Sequence, residues 1–322
     1  LENCTSVVGN RMTEVKGNVA DLIEMLNQTV EPVIEPGDQC FNPFECDYTG
    51  HCIAQGPEFP VQNIFGPGLR LDALLADNIF DVREIPTGFD ATERQRIAIQ
   101  ACRNNQVYTN RAMISEWLAG LEYPLYFLDY ETINPAIPLF DNSKPFQQIP
   151  FQFSMHIQKS RGGSLGHAWF LHTDKGDPRP DFIKFLTGNC GKTGSVIVYN
   201  QAFENRINNE LGTAFPEYRE ALDSISNRMK DLLAPFRSRF IYHPQMNGSA
   251  SLKSVLPAFV SDVGFDDLAI GDGETASIMY LRCIKDIVSQ QEKDKIYKDL
   301  IAYCGMDTMA EVKLLDVLYR SA

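Results

Sequence analysis

Two hydrophobic periodicities meet near residue 123. Before it, apolar positions recur at helical spacing. Val15, Val19, Leu22, Ile23 and Leu26 predict a helix over 15–28, and Leu69, Leu71, Leu74, Leu75, Ile79 and Phe80 predict another over 69–80. Thr92 and Gln95 have the spacing of a capping box, which opens a helix running to about Cys102. A short helix is expected over 112–119, and a Pro-rich turn over Glu31–Gly37. This first third reads as small helices strung around a cysteine run, without a large core.

After residue 123 the apolar positions gather into short runs. Tyr123–Tyr130 predicts a strand, and Phe151–Gln158 with Leu165–His172 predicts a hairpin turning at Ser160–Ser164. A helix over Asp181–Leu186, a buried strand over Ser195–Tyr199 and a helix over Ala202–Leu211 follow. The remainder reads as mostly helical, with a short strand around Phe240–Tyr242 and a long last helix from about Asp294 to Tyr319. Three strands in meander order followed by helix, strand and helices is an α/β order with mixed strand directions. The expected organisation is a cysteine-bearing region over 1–60, a helical linker over 61–122 and an α/β domain over 123–322.

Composition adds limits. An apolar fraction of 44% with 22% charged residues is that of an ordinary globular protein. No apolar run reaches the roughly 18 residues of a membrane span, so no membrane partner is expected. The start, Leu1-Glu2-Asn3-Cys4, carries neither Met nor a secretion signal, which gives the expectation of a cytoplasmic piece of a longer protein. A net charge of −13 argues against broad attraction to polyanions. It is compatible with a metal-dependent nuclease, whose site is itself rich in carboxylates. Arg228, Lys230, Arg237, Arg239 and Lys253 read as solvated helix faces.

The chemistry concentrates in three places. Asp129 and Glu131 end the run Leu125-Tyr126-Phe127-Leu128, and positions i and i+2 of a strand share a face. Two carboxylates side by side repel unless a proton or a cation lies between them. Asn200-Gln201-Ala202-Phe203-Glu204 sits where a strand becomes a helix. Tyr303 and Asp307, at i and i+4, share a helix face. Mg²⁺ and Mn²⁺ take such oxygen ligands, and such sites commonly hold two ions about 3.5–4 Å apart.

This ordered set resembles the DEDD superfamily of 3′–5′ exonucleases, which have a ribonuclease-H-like fold, over roughly 123–320. Asp129 and Glu131 match the first motif, Asn200–Glu204 the second, and Tyr303 with Asp307 the third in its tyrosine form. Glu204 departs from the family, which has Asp there. Phe127–Thr132, Gln148–Ser154 and Tyr303–Thr308 resemble, more closely still, the bacterial domain of unknown function 2779. The resemblance implies a ribonuclease-H-like mixed sheet flanked by helices and two Mg²⁺ or Mn²⁺ ions. In it Asp129 bridges both ions, Glu131 and Asp307 bind the first, Glu204 holds the second, and Tyr303 orients the attacking water. The implied activity is hydrolysis of DNA or RNA from a 3′ end. The alternative is a non-catalytic nucleic-acid-binding or scaffolding module.

Cys40, Cys46 and Cys52 are evenly spaced, whereas Cys4, Cys102, Cys190, Cys283 and Cys304 have no companions at ligand spacing. The run resembles the cysteine-rich end of a RecB-like nuclease domain, which implies an upstream nuclease partner and a [4Fe–4S] cluster. The x5 spacing is wide for a zinc knuckle; Zn²⁺, with His51 as a further ligand, is the other reading.

Overall fold

The chain divides into two units, Leu1–Pro57 and Glu58–Ala322. The computed structural model describes all residues except 1–2, 33, 35–39, 41–45, 55, 67, 262–263 and 266–267. Much of the Pro-rich turn and the interior of the cysteine run therefore lie outside the described residues. In the first unit, helix α1 (Thr5–Leu26) starts ten residues before the predicted helix, and α2 (Thr49–Ala54) carries Cys52. The stripe that predicted α1 is exposed along its length, from Val15 and Val19 to Leu26.

The second unit opens with α3 (Gln62–Phe65), α4 (Leu69–Ala76) and α5 (Glu93–Asn104). The predicted capping box starts α5: the Gln95 amide donates to Thr92 Oγ1 at 3.3 Å, and the Thr92 amide donates to Gln95 Oε1 at 2.8 Å. β1 (Tyr108–Thr109) and α6 (Arg111–Ala119) follow. Segment 61–122 was expected to be a linker, but it forms part of the main core. Val61, Leu74, Val82, Ala98 and Ile114 pack in one cluster with Leu125, Phe127 and Ile197. The reason is simple: each short helix has one apolar stripe and no partner of its own, so the stripe must be buried against the sheet.

The sheet contains β2 (Leu125–Ile133), β3 (Ile149–Gln158), β4 (Leu165–Leu171), β5 (Val196–Val198) and β6 (Met229–Asp231), with α7 (Arg179–Asn189), α8 (Gln201–Ala214) and α9 (Arg219–Ser226) between its later strands. Its order is β4-β3-β2-β5-β6. β3 runs antiparallel to both neighbours, while β5 and β6 run parallel to β2, so a single strand is reversed. The fold is thus mixed α/β, a five-stranded mixed sheet flanked by helices. The strand expected near 240 is β7 (Ile241–Tyr242), which follows α10 (Leu233–Arg237). It pairs with β1 in a separate two-stranded ribbon.

Alternation along β2 sorts the two faces. Tyr126, Leu128 and Tyr130 enter a cluster with Phe153, Phe182, Ile207 and Leu211, which belong to the sheet, α7 and α8. Leu125 and Phe127 point the other way, toward Leu314, Leu315 and Leu318. These leucines belong to α13 (Gln290–Ser321), which follows α11 (Leu252–Phe259) and α12 (Gly273–Ile284). At 32 residues, α13 spans about 48 Å. Ser289 caps it, accepting from the Glu292 amide at 3.3 Å, so the helix begins four residues before the predicted start. A third cluster joins Phe151, Tyr280, Leu300 and Tyr303, with Phe151 stacked on Tyr280 at 3.9 Å. Truncating Phe127 or Phe153, both fully buried, would cost about 3–5 kcal/mol.

Candidate metal centre

The face of β2 that carries Leu125 and Phe127 continues to Asp129 and Glu131, so an apolar strand delivers two carboxylates to the surface α13 covers. Register brings a second element to the same place. Tyr126 and Phe127 pair with Val196 and Ile197, and β5 stops about where Asp129 begins. The chain then turns at Asn200, whose φ of 95° lies in the left-handed region that Asn tolerates better than most residues. The Asn200 amide donates to Asp231 Oδ1 at 3.2 Å, and that oxygen also accepts from the Leu233 amide at 3.0 Å. A carboxylate at the end of β6 thereby pins the turn that launches α8, and Glu204 lies in the first turn of that helix.

α13 supplies the third contribution. Tyr303, Cys304 and Asp307 are all buried in its middle. Tyr303 bonds the Asp307 carboxylate, and the Cys304 thiol donates to Asp129 Oδ2 at 3.5 Å. Asp129, Glu131 and Cys304 bring ligand atoms within 4.8 Å of one another, a convergence no other group of three or more such residues makes among the described residues. Glu204 and Asp307 lie outside that tight group but share its field. The structure thus brings Asp129 and Glu131 together with Cys304, and leaves Glu204 and Asp307 in the electrostatic reach of Asp129.

Burial dominates the electrostatics. It raises Asp129 from the usual carboxyl range to about 7, against hydrogen bonds from Cys304 and the Tyr130 amide. Burial first, then the charges of Asp129 and Asp307, push Glu131 well up, with Lys253 opposing. Asp307 is raised by burial and by Asp129, and Glu204 by burial and by Asp129. Burial and the neighbouring carboxylates also raise the Tyr303 phenol and the Cys304 thiol, so Cys304 stays a thiol. Carboxylates held this way keep protons or share cations. Glu204 Oε2, in a residue only 2% exposed, has no hydrogen-bond partner among the described residues. An unmet carboxylate oxygen beside other carboxylates fits a divalent cation, and an oxygen-rich set with a neutral thiol favours Mg²⁺ or Mn²⁺ over softer metals.

Behind the carboxylates a polar knot fixes α13 on β3. Thr308 Oγ1 bonds Ser154 Oγ and His156 Nδ1, each at 2.8 Å. Ser154 Oγ also meets His167 Nε2 at 2.9 Å, and the His156 and His167 rings stack at 4.2 Å. Burial and His167 hold His156 down at about 4, so it stays neutral near pH 7. These histidines are thus positioning groups. Ser154 lies directly opposite Asp129 in the ladder, which couples the knot to the site.

Sequence reasoning did not find three contributors. Asp231 hides in a basic stretch, and its strand is only three residues long. Lys253, which reads as a solvated face, stands 5.9 Å from the centre of the Tyr303 ring and is the cation that most directly opposes the pKa rise of Glu131 and Asp307. Glu311 follows Asp307 at the same helical spacing that links Tyr303 to Asp307; that repeat was the signal available. In the loop after β2, Gln147 and Gln148 bond Glu210 and Thr132 within the protein.

The cysteine run behaves differently. Cys40 is buried, Cys52 half-buried and Cys46 exposed. Although the Cys46 amide donates to the Cys40 carbonyl at 2.8 Å, the three thiols do not form a converging group among the described residues. His51 Nε2 meets Glu31 Oε1 at 2.8 Å.

Residues 126–251 match the model of a family described as Domain of unknown function (DUF2779). That stretch includes Asp129, Glu131 and Glu204 and ends before α13. The chain is similar to "Uncharacterized protein MG366" of Mycoplasma genitalium, 26% identical over 207 residues that cover 59% of this chain and 31% of that protein. It is likewise similar to "Uncharacterized protein UU173" of Ureaplasma parvum, 26% identical over 65% of this chain and 33% of that protein. "Uncharacterized protein MG366 homolog" of Mycoplasma pneumoniae is 25% identical over 62% of this chain and 32% of that protein. These matches support kinship with the DUF2779 family, and the chain spans about a third of the length of the relatives it matches. No solved structure matches it. No helix among the described residues is long and apolar enough to cross a membrane.

Proposed function

We propose that the unit Glu58–Ala322 is a ribonuclease-H-like, two-cation 3′–5′ exonuclease acting on DNA or RNA. The observation that carries this reading is the burial, in one shared field, of carboxylates from three separated elements: Asp129 and Glu131 on β2, Glu204 on α8 and Asp307 on α13. The sheet order, with one reversed strand at its second position, supports the fold assignment.

Asp129, Glu131 and Asp307 would hold one Mg²⁺ or Mn²⁺, and Asp129 with Glu204 the other. When bound, the cations neutralise charge on the attacking and leaving oxygens of the phosphodiester. Tyr303 orients the attacking water through its hydroxyl, which the neighbouring carboxylates keep protonated. Lys253, exposed beside Tyr303, meets a phosphate of the substrate strand. Asp231 acts at a distance, holding the turn that aims Glu204.

The test is degradation of 5′-labelled single-stranded oligonucleotides in Mn²⁺, read as a ladder shortening from the 3′ end. Asp129→Asn and Asp307→Asn should each lower the rate roughly 10³-fold. Binding without turnover in saturating Mn²⁺ would instead favour the non-catalytic binding module, to which Glu204 in place of Asp already points. The metal at Cys40, Cys46 and Cys52 is a separate proposal. Sub-stoichiometric iron and zinc in anaerobically purified protein would remove it.

A further inference from the structure

Glu311 belongs to neither the expected motif set nor the positioning knot, yet it is among the most deeply buried charged residues in the chain, 1% exposed. It follows Asp307 by four residues and Tyr303 by eight, so all three lie along one face of α13. Its carboxylate lies in reach of the Tyr199 backbone, just past the end of β5 and immediately before the Asn200 turn. Its Oε2 has no hydrogen-bond partner among the described residues, the same condition as Glu204 Oε2. It feels Asp129, Glu204 and Asp307 together, and burial with these three charges raises its pKa well above the ordinary value.

The flanking positions make a structural role uneconomical. Ala310, Val312, Leu314 and Leu315 are buried apolar residues of the same helix. A seam of that kind is filled at lower cost by Leu or Met than by a carboxylate with one oxygen unmet, whose burial costs several kcal/mol unless paired. The Glu for Asp departure at position 204 also changes the reach of the ligand expected for the second ion.

We propose that Glu311 is a fifth carboxylate ligand of the centre and completes, with Glu204, the second divalent-cation position. This inference rests on the two-cation reading above. It adds a residue the motif set does not contain and makes the second position a Glu204–Glu311 pair.

Mn²⁺ titration by calorimetry, with stoichiometry checked by electron paramagnetic resonance of the free ion, tests it without any nuclease assay. Wild-type protein should bind two ions. Glu311→Gln should keep the first and bind the second roughly tenfold or more weakly. Glu311→Met, which fills the same space without a charge, should behave alike and covers the case in which the amide variant does not fold. Two ions bound with unchanged affinities in either variant would overturn the role of Glu311 and leave the two-cation reading intact. A wild-type protein that binds no Mn²⁺ would overturn that reading, and the inference with it.

Discussion

Cys40, Cys46 and Cys52 stand six residues apart, whereas Asp129, Glu204 and Asp307 come from opposite parts of the chain. Yet among the described residues Asp129 and Glu131 converge with Cys304 of α13, with Glu204 and Asp307 in the field of Asp129, whereas the cysteine run does not converge. The difference lies in what holds each group. The carboxylates are fixed by a strand paired on both sides, a pinned helix start and a helix of 32 residues. The cysteines sit in a unit of 57 residues whose longest helix leaves its apolar stripe exposed. Spacing in sequence is a weak guide to a metal site when no core stands behind it.

If that contrast is right, the carboxylate centre stores a large, cation-dependent penalty. Its buried carboxyl groups hold protons to higher pH when folded than when unfolded. Stability is therefore full below about pH 4 and falls as pH rises, for Asp129 until about 7, and its raised neighbours act in the same direction. Between pH 6.5 and 8.5 His156 adds nothing, because its depressed pKa penalises folding only below its ordinary 6.5. EDTA-treated protein should lose stability across that window, about 0.8 kcal/mol from Asp129 alone with its raised neighbours adding to it, and saturating Mn²⁺ should abolish the loss. Urea unfolding at three pH values measures it. A flat profile in EDTA, or one that Asp129→Asn leaves unchanged, would sink the idea.

Next in size is the knot behind the site. Thr308→Val strands His156 Nδ1, leaves Ser154 Oγ only its bond to His167, and should cost about 1–3 kcal/mol in the same urea assay. Smaller is Lys253→Ala, which should raise KM by about threefold to tenfold with kcat little changed, as loss of the one exposed phosphate contact proposed for it predicts. An equal fall in kcat would assign Lys253 to the chemical step. At the far end of the comparison, changing Cys40, Cys46 and Cys52 together to Ser should alter oligonucleotide turnover less than about twofold. A large loss would tie the two regions functionally.

Much of the α/β unit was legible because its strands are apolar runs ended by turn residues. β2, β3, β4 and β5 fall within a few residues of where the pattern places them. β6 was not, since Lys230 and Asp231 fill two of its three positions and an edge strand that short has no periodicity to read. The packing of 61–122 was not legible either: the partners of Leu74 and Ile114 lie on a sheet and helix far along the chain. In the site, Asp129 with Glu131 and Tyr303 with Asp307 followed from strand and helix geometry. Glu311 did not, because a Glu in a leucine-rich helix looks like an exposed position until burial is known.

The single continuous α13 has a consequence for how the centre is inherited. Tyr303, Asp307 and Glu311 share one helical register, and Thr308 locks that register to β3. Inserting or deleting one residue between 303 and 311 would turn the later side chains by about 100°, removing them from the centre together. Substitutions there can be graded, but a length change is all-or-none. Among related genomes, a gap in that nine-residue stretch should therefore mark lineages that have lost the proposed cation centre while keeping the fold.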